Sequence, residues 1–217
     1  MSGEDREVIY RAILSREDGV RSRNATAPVL EFPDPSEQVI PRVHSEIQAA
    51  LVDLGTKMDC NIWIPRSDRI AVAKASPDMP TAGLLATLPQ IFGGHAEDTV
   101  RNIDVIWFKG PLGVAAFEVE NTTATYSGLL RMADLLSLVP NIAFPLYIVA
   151  DKSRRGDVRR EILRPAFQNS RVPLERACAF LSYRAIRDIR SRYSDAQLRR
   201  LEPRFIDIEA EYFSRTD

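Results

Sequence analysis

The chain has 217 residues, room for one domain of ordinary size with small appendages, and 45% of them are apolar, enough for a real core. Lys and Arg number 29 against 30 Asp and Glu, a net charge of −1, which excludes a polycation that coats nucleic acid by charge alone but allows a local basic groove. Two histidines leave little from which to build a His-rich zinc site, and no apolar run reaches the roughly 18 residues a membrane helix needs.

Taken in chain order, residues 5–15 (DREVIYRAILS) predict a short helix with Val8, Ile9, Ala12 and Ile13 along one side. Residues 16–41 lose that periodicity and, with "FPDPSEQVIP", read as a linker, so 1–41 forms an arm. Residues 42–57 predict a strong amphipathic helix, with Val43, Ile47, Ala50, Leu51 and Leu54 on one stripe and Gly55 as its stop signal. "CNIWIP" (60–65) predicts a strand ended by Pro65. Residues 66–100 are a long excursion with a weak helix near 81–88 and a "GGHAED" loop. "NIDVIWF" (102–108) and "GVAAFEVE" (113–120) predict strands joined by the turn "KGPLG". Residues 125–139 predict a second strong helix, and "FPLYIVA" (144–150) a strand buried on both faces. A basic helix at 154–163, a last strand at 178–183 and a charged helical remainder follow, the last with the capping-box pattern "SDAQ" at 194–197. The order helix, three strands, helix, strand predicts an α/β fold with a mixed sheet flanked by helices. Cys60 and Cys178 lie far apart in apolar surroundings and read as free thiols of a reducing cytoplasm.

The chemistry concentrates in "IDVIWFKGPLGVAAFEVE". Side chains alternate across a strand, so Glu118 and Glu120 share a face with Ala116, while Ala115, Phe117 and Val119 take the other. If the two strands pair through their turn, Asp104 comes beside Glu118. Carboxylates gathered in a low-dielectric site cannot all stay ionised without a cation, and oxygen-only ligands select Mg²⁺ or Mn²⁺. Such a metal polarises a phosphoryl oxygen and activates water. A glycosidase pair fits less well, because Glu118 and Glu120 stand too close along one strand for acid and nucleophile to flank a sugar.

An Asp on one strand and E-x-E on the next, in this element order, resembles the restriction-endonuclease-like superfamily of PD-(D/E)XK nucleases over about residues 42–183. The resemblance implies a restriction-endonuclease-like core of order α-β-β-β-α-β. It also implies a Mg²⁺-dependent (or Mn²⁺-dependent) endonuclease that hydrolyses DNA phosphodiesters in restriction or DNA repair. By position, Asp104 matches the family's Asp, Glu118 its central acid and Glu120 the place where most members carry Lys and some active ones carry Glu. Ile103 stands where the motif's Pro would be. Many members add an acid from the first helix, for which Glu46 is the candidate. The polar stripe of Ser127, Arg131 and Asp134 on the second helix matches one that faces the active site or the DNA, so Arg131 and Ser127 are candidate phosphate contacts.

Arg66 and Arg69, leaving the first strand at the expected active edge, are further candidates. Between residues 152 and 204 fifteen Lys or Arg face six Asp or Glu, an excess suited to holding a nucleic-acid backbone. The resulting expectation has three parts: an arm at 1–41, a nuclease domain at 42–183 and a helical extension at 184–217. DNA is the expected partner, a homodimer suits an enzyme that cuts both strands, and no membrane is involved. The competing expectation is a catalytically inactive nucleic-acid-binding or assembly module with the same fold, for which the missing Lys speaks.

Overall fold

A computed structural model describes residues 42–81, 83–89, 95–121, 126–139, 142–168 and 172–215, all within a compact unit that begins at Val39. The arm predicted at 1–41 lies outside the described residues. Helix α1 (Arg42–Lys57) leads into strand β1 (Asn61–Trp63), and two short helices follow, α2 (Arg69–Ala75) and α3 (His95–Val100). Strands β2 (Val105–Lys109) and β3 (Leu112–Glu120) form a hairpin, and α4 (Tyr126–Leu138) crosses back to β4 (Leu146–Ala150). Next come α5 (Arg155–Ile162), α6 (Pro165–Gln168), α7 (Leu174–Ala177), β5 (Cys178–Ser182), α8 (Tyr183–Arg192) and α9 (Asp195–Leu198). A 3₁₀ helix over Pro203–Glu209 follows these elements.

The five strands form one sheet in the order β1-β2-β3-β4-β5. β1, β2 and β3 are antiparallel neighbours, whereas β3, β4 and β5 run parallel. The antiparallel half follows from a tight hairpin, whose turn Gly110 makes with φ +57°, a left-handed value that costs glycine little. The parallel half requires crossovers, which α4 and the α5–α7 segment supply. The architecture is therefore the expected α/β fold with a mixed sheet flanked by helices, compatible with a restriction-endonuclease-like core.

Alternation divides the core. Val105, Trp107, Phe117, Tyr147, Val149 and Leu181 pack on one face with Ile47, Leu51 and Leu54 of α1 and Ile186 and Ile189 of α8. Ile106, Phe108, Ala116, Ile148 and Phe180 pack on the other with Leu129, Met132 and Leu135 of α4 and Val158 and Ile162 of α5. Burial of each large side chain contributes about 1.5–3 kcal/mol before entropy is counted. β4 lies between β3 and β5 and is buried on both faces, as its unbroken apolar run predicts. Cys60 and Cys178 are free and buried.

Several local expectations are corrected. The bounds of α1 stand as expected, but Gly55, near its end, does more than mark a stop: a Cβ there would stand 2.5 Å from Trp107 Nε1 and 2.6 Å from Ile62 Cδ1. Its role is close approach of the helix to the sheet, and the chain turns instead at Asp59, with φ 58°. The helix predicted near 81–88 is absent among the described residues. Gly83, with φ +96°, breaks it, and Leu84 bridges Ile62 as an extended neighbour of β1. Two helices unforeseen in the excursion, α2 and α3, stand on either side of that segment. The capping box at Ser194 and Gln197 is present. The segment after β5 is tied to the rest: Arg190 pairs with Asp53 of α1 at 2.7 Å, and Glu211 bridges Phe180 of β5. Among the described residues, no helix is long and apolar enough to cross a membrane.

Candidate active site

Asp104 stands immediately before β2, one step beyond the last ladder pair, Val105 with Phe117. Its Oδ2 accepts the Val119 N–H at 2.7 Å, so the carboxylate itself continues the ladder and is fixed against β3. Glu118 and Glu120 project from β3 on the side covered by α4. Glu118 is fully buried, and Arg131 of α4 donates to both its oxygens, Nε to Oε1 at 2.8 Å and Nη2 to Oε2 at 2.5 Å. Glu120 Oε1 accepts the Gly128 N–H at 3.1 Å. That amide belongs to the first turn of α4, where helical N–H groups have no partner within the helix, so Glu120 serves as its cap. A Cβ at Gly128 would run into Glu120 Oε1 and stand 3.1 Å from Glu118 Cβ, so only glycine lets α4 lie this close over the two acids. Tyr183 donates its hydroxyl to the Glu120 carbonyl at 2.6 Å and anchors the end of β3.

Burial raises the pKa of all three carboxylates. Burial raises the pKa of Asp104, with the His44 imidazole and the Val119 N–H opposing it. Burial first, and then the charge of Asp104, lift Glu118 well above the usual carboxylate range despite Arg131. Burial pushes Glu120 up to about 7, with the Gly128 N–H pulling down and Asp104 pushing up. The hydrogen bonds to Glu118 raise Arg131 still further above its ordinary value. When ionised, the trio faces the Arg131 guanidinium, with Arg154 acting on Glu120 and the His44 imidazole on Asp104, and its oxygen atoms are a donor set that fits a hard divalent cation.

Arg131 does not pair with Asp134, its neighbour on the polar stripe, but with Glu118; Ser127 and Asp134 are exposed. Glu46 is not brought to the acids. It binds Arg42 at 2.9 Å, and lies two residues, about 200° of helical turn, from the α1 residue that does face Asp104. Arg66 is exposed and borders a cavity of about 380 Å³ shared with Trp63, Ser67 and Arg101. Arg69 reaches back to the Leu85 carbonyl at 2.7 Å and stacks over Trp63.

Sequence reasoning missed His44, Gln48 and Asp68. His44 Nε2 lies 3.7 Å from Asp104 Oδ1, and His44, Asp68 and Asp104 each place a candidate ligand atom within 4.8 Å of the others. Glu118 and Glu120 are not in that group. Gln48, one turn after His44, donates to Asp68 Oδ2 at 2.9 Å and to the Asp104 carbonyl at 3.2 Å. The signal was present: His44 and Gln48 sit at i and i+4, on the same side of α1 as Ile47 and Leu51, which makes them polar groups in a buried stripe.

A mixed sheet flanked by helices, with one acid just before β2 and two on β3 beneath α4, is compatible with a restriction-endonuclease-like α/β core. The comparison with protein families is more specific. The family described as the Type II restriction enzyme NmeDI C-terminal domain matches residues 30–213, and the chain belongs to that family. The chain is 32% identical over 163 residues to the Type II restriction enzyme NmeDI of Neisseria meningitidis serogroup C, a match covering 69% of this chain and 45% of the relative. It thus spans less than half the length of that curated relative. No solved structure matches the chain.

Proposed function

We propose that the chain is the nuclease part of a restriction system, a metal-dependent endonuclease that hydrolyses DNA phosphodiesters. The observation that carries this reading is the trio Asp104, Glu118 and Glu120, gathered beside Arg131 in a chain of the NmeDI C-terminal domain family. It is the E-x-E variant of the PD-(D/E)XK motif, and the three acids would hold Mg²⁺ or Mn²⁺. The metal, once bound, supplies Lewis acidity toward a phosphoryl oxygen and makes water acidic enough to attack. The chain's own residues do the rest. Asp104 is kept in place by the Val119 amide, so its orientation costs nothing when substrate arrives. Glu120, held by the Gly128 N–H at the start of α4, would offer the metal a carboxylate at the position where most members of the resembled superfamily carry Lys. Arg131 holds a cation at the mouth of the site, where a DNA phosphate competes with Glu118 for its guanidinium. Ser127, one turn earlier and exposed, and Arg66, beside the cavity, lie open to a nucleic-acid backbone.

A second reading has an observation in its favour. Arg131 closes both oxygens of Glu118, and Glu replaces Lys at 120, which suits a DNA-binding module without catalysis. Incubation with supercoiled plasmid, linear duplex, single-stranded DNA and RNA, each with Mg²⁺, Mn²⁺ or EDTA, separates the two. Metal-dependent cutting of duplex DNA supports the nuclease; retention of DNA without cutting in any metal supports the module.

A further inference from the structure

We propose that His44, Asp68 and Asp104 form a second divalent-cation site, on the α1 side of Asp104, that takes a transition metal such as Mn²⁺ through one nitrogen and two carboxylate ligands. Three separate elements converge there: α1, the loop after β1, and the residue before β2. Their candidate ligand atoms lie within 4.8 Å of one another. The 3.7 Å from His44 Nε2 to Asp104 Oδ1 is too long for a hydrogen bond. It suits two ligands of one ion, because atoms each about 2.1 Å from a metal stand about 3.0–4.2 Å apart.

An independent observation points the same way. Gln48 is fully buried, and its amide nitrogen serves Asp68 and the Asp104 carbonyl, yet its Oε1 has no partner. A buried acceptor left unpaired is costly, and this one belongs to the amide that bridges two of the three ligands. A cation or its bound water would satisfy it. Asp104 is built to serve two sides: Oδ2 is fixed by the Val119 N–H, and Oδ1 turns to His44. The His44 and Asp104 side chains retain 16% and 10% exposure, which leaves an approach for an ion. An imidazole among carboxylates favours Mn²⁺, Co²⁺ or Zn²⁺ over Mg²⁺ and Ca²⁺, which prefer oxygen alone.

The site needs neither DNA nor turnover, so its test is independent of the nuclease reading. The full chain is titrated with Mn²⁺, bound metal is counted by electron paramagnetic resonance, and the histidine ring signals are followed by NMR. The chain has two histidines, so His44→Gln assigns the signal at once. The expected result is broadening of the His44 signal at the first equivalents of Mn²⁺, preserved in a Glu118→Gln/Glu120→Gln variant. Asp68→Asn should weaken that binding by about tenfold or more, the scale seen even for outer partners of a metal. A His44 signal that Mn²⁺ leaves unmoved overturns the proposal, as does an Asp68→Asn chain that binds with unchanged affinity. If His44→Gln does not fold, the wild-type titration and Asp68→Asn decide the matter.

Discussion

Arg131 grips Glu118 with two parallel hydrogen bonds across the gap between α4 and β3, and the carboxylate so held is fully buried. A buried acid is tolerated only when something offsets its charge, and in this fold the guanidinium does so. Removal of one partner of such a pair leaves the other stranded. Arg131→Ala is therefore expected to destabilise the chain by about 2–4 kcal/mol, below the full range for wholly buried pairs because Arg131 is one-third exposed. Urea denaturation measures it. Glu118→Gln added to Arg131→Ala should recover part of the loss, whereas additive losses would show that the pair is not what the arginine contributes.

Gly128 sets how closely α4 can lie over the acids. Gly128→Ala is expected to lower stability by about 1–3 kcal/mol, since the new methyl has no room beside Glu120 Oε1 and Glu118 Cβ. The same substitution on an open helix surface would help, because alanine is the better helix former. A thermal melt that moves upward would contradict the packing described.

The pH dependence follows from Glu120. Its pKa is about 7 in the fold against an ordinary value of 4.5, so between these values the folded chain binds more protons than the unfolded one. Stability contributed by this group thus falls as pH rises from about 4.5 to about 7 and is level above, the total being at most about 3 kcal/mol. Asp104 and Glu118 are shifted in the same direction. Midpoints of urea unfolding measured from pH 5 to 8.5 should decline across the window. Glu120→Gln should flatten the decline, and Mg²⁺ or Mn²⁺ should offset it most above pH 7. A midpoint that climbs with pH and ignores the metal would refute the arrangement.

Glu46 tests the boundary of the site. It is tied to Arg42 and points away from the helical side that carries His44 and Gln48. Glu46→Ala is expected to leave any cleavage within about twofold of wild type, against losses of about a hundredfold or more for a group that acts in the transition state. Plasmid nicking rates measured side by side decide this.

The frame of the fold was legible in the sequence wherever a period was unbroken: α1, the hairpin strands, α4 and the apolar run of β4. The acids on β3 could be assigned to one face because strand alternation admits no other answer. What could not be read were contacts that depend on distance across the chain. Arg131 was visible as a polar residue on α4, but its partner, thirteen residues back on a strand, depended on how α4 settles, and that rests on Gly128. Gly55 looked like a stop signal because the large ring it makes room for, Trp107, lies 52 residues away. Glu46 and His44 lie on different flanks of α1, and a helical wheel alone does not show which flank meets the loop after β1. Asp68 lies between Arg66 and Arg69, and no local period ties it to α1, twenty residues back at Gln48.

The central claim is that Asp104, Glu118 and Glu120 work as one metal-holding unit that cuts DNA. The direct measurement is the rate of supercoiled-plasmid cleavage as a function of Mg²⁺ and Mn²⁺ for the wild-type chain, Asp104→Asn, Glu118→Gln and Glu120→Gln, each shown to be folded. The account predicts cleavage that EDTA abolishes and that each substitution lowers by about a hundredfold or more. Cleavage that persists in EDTA, or that survives at wild-type rate in the substituted chains, would contradict it.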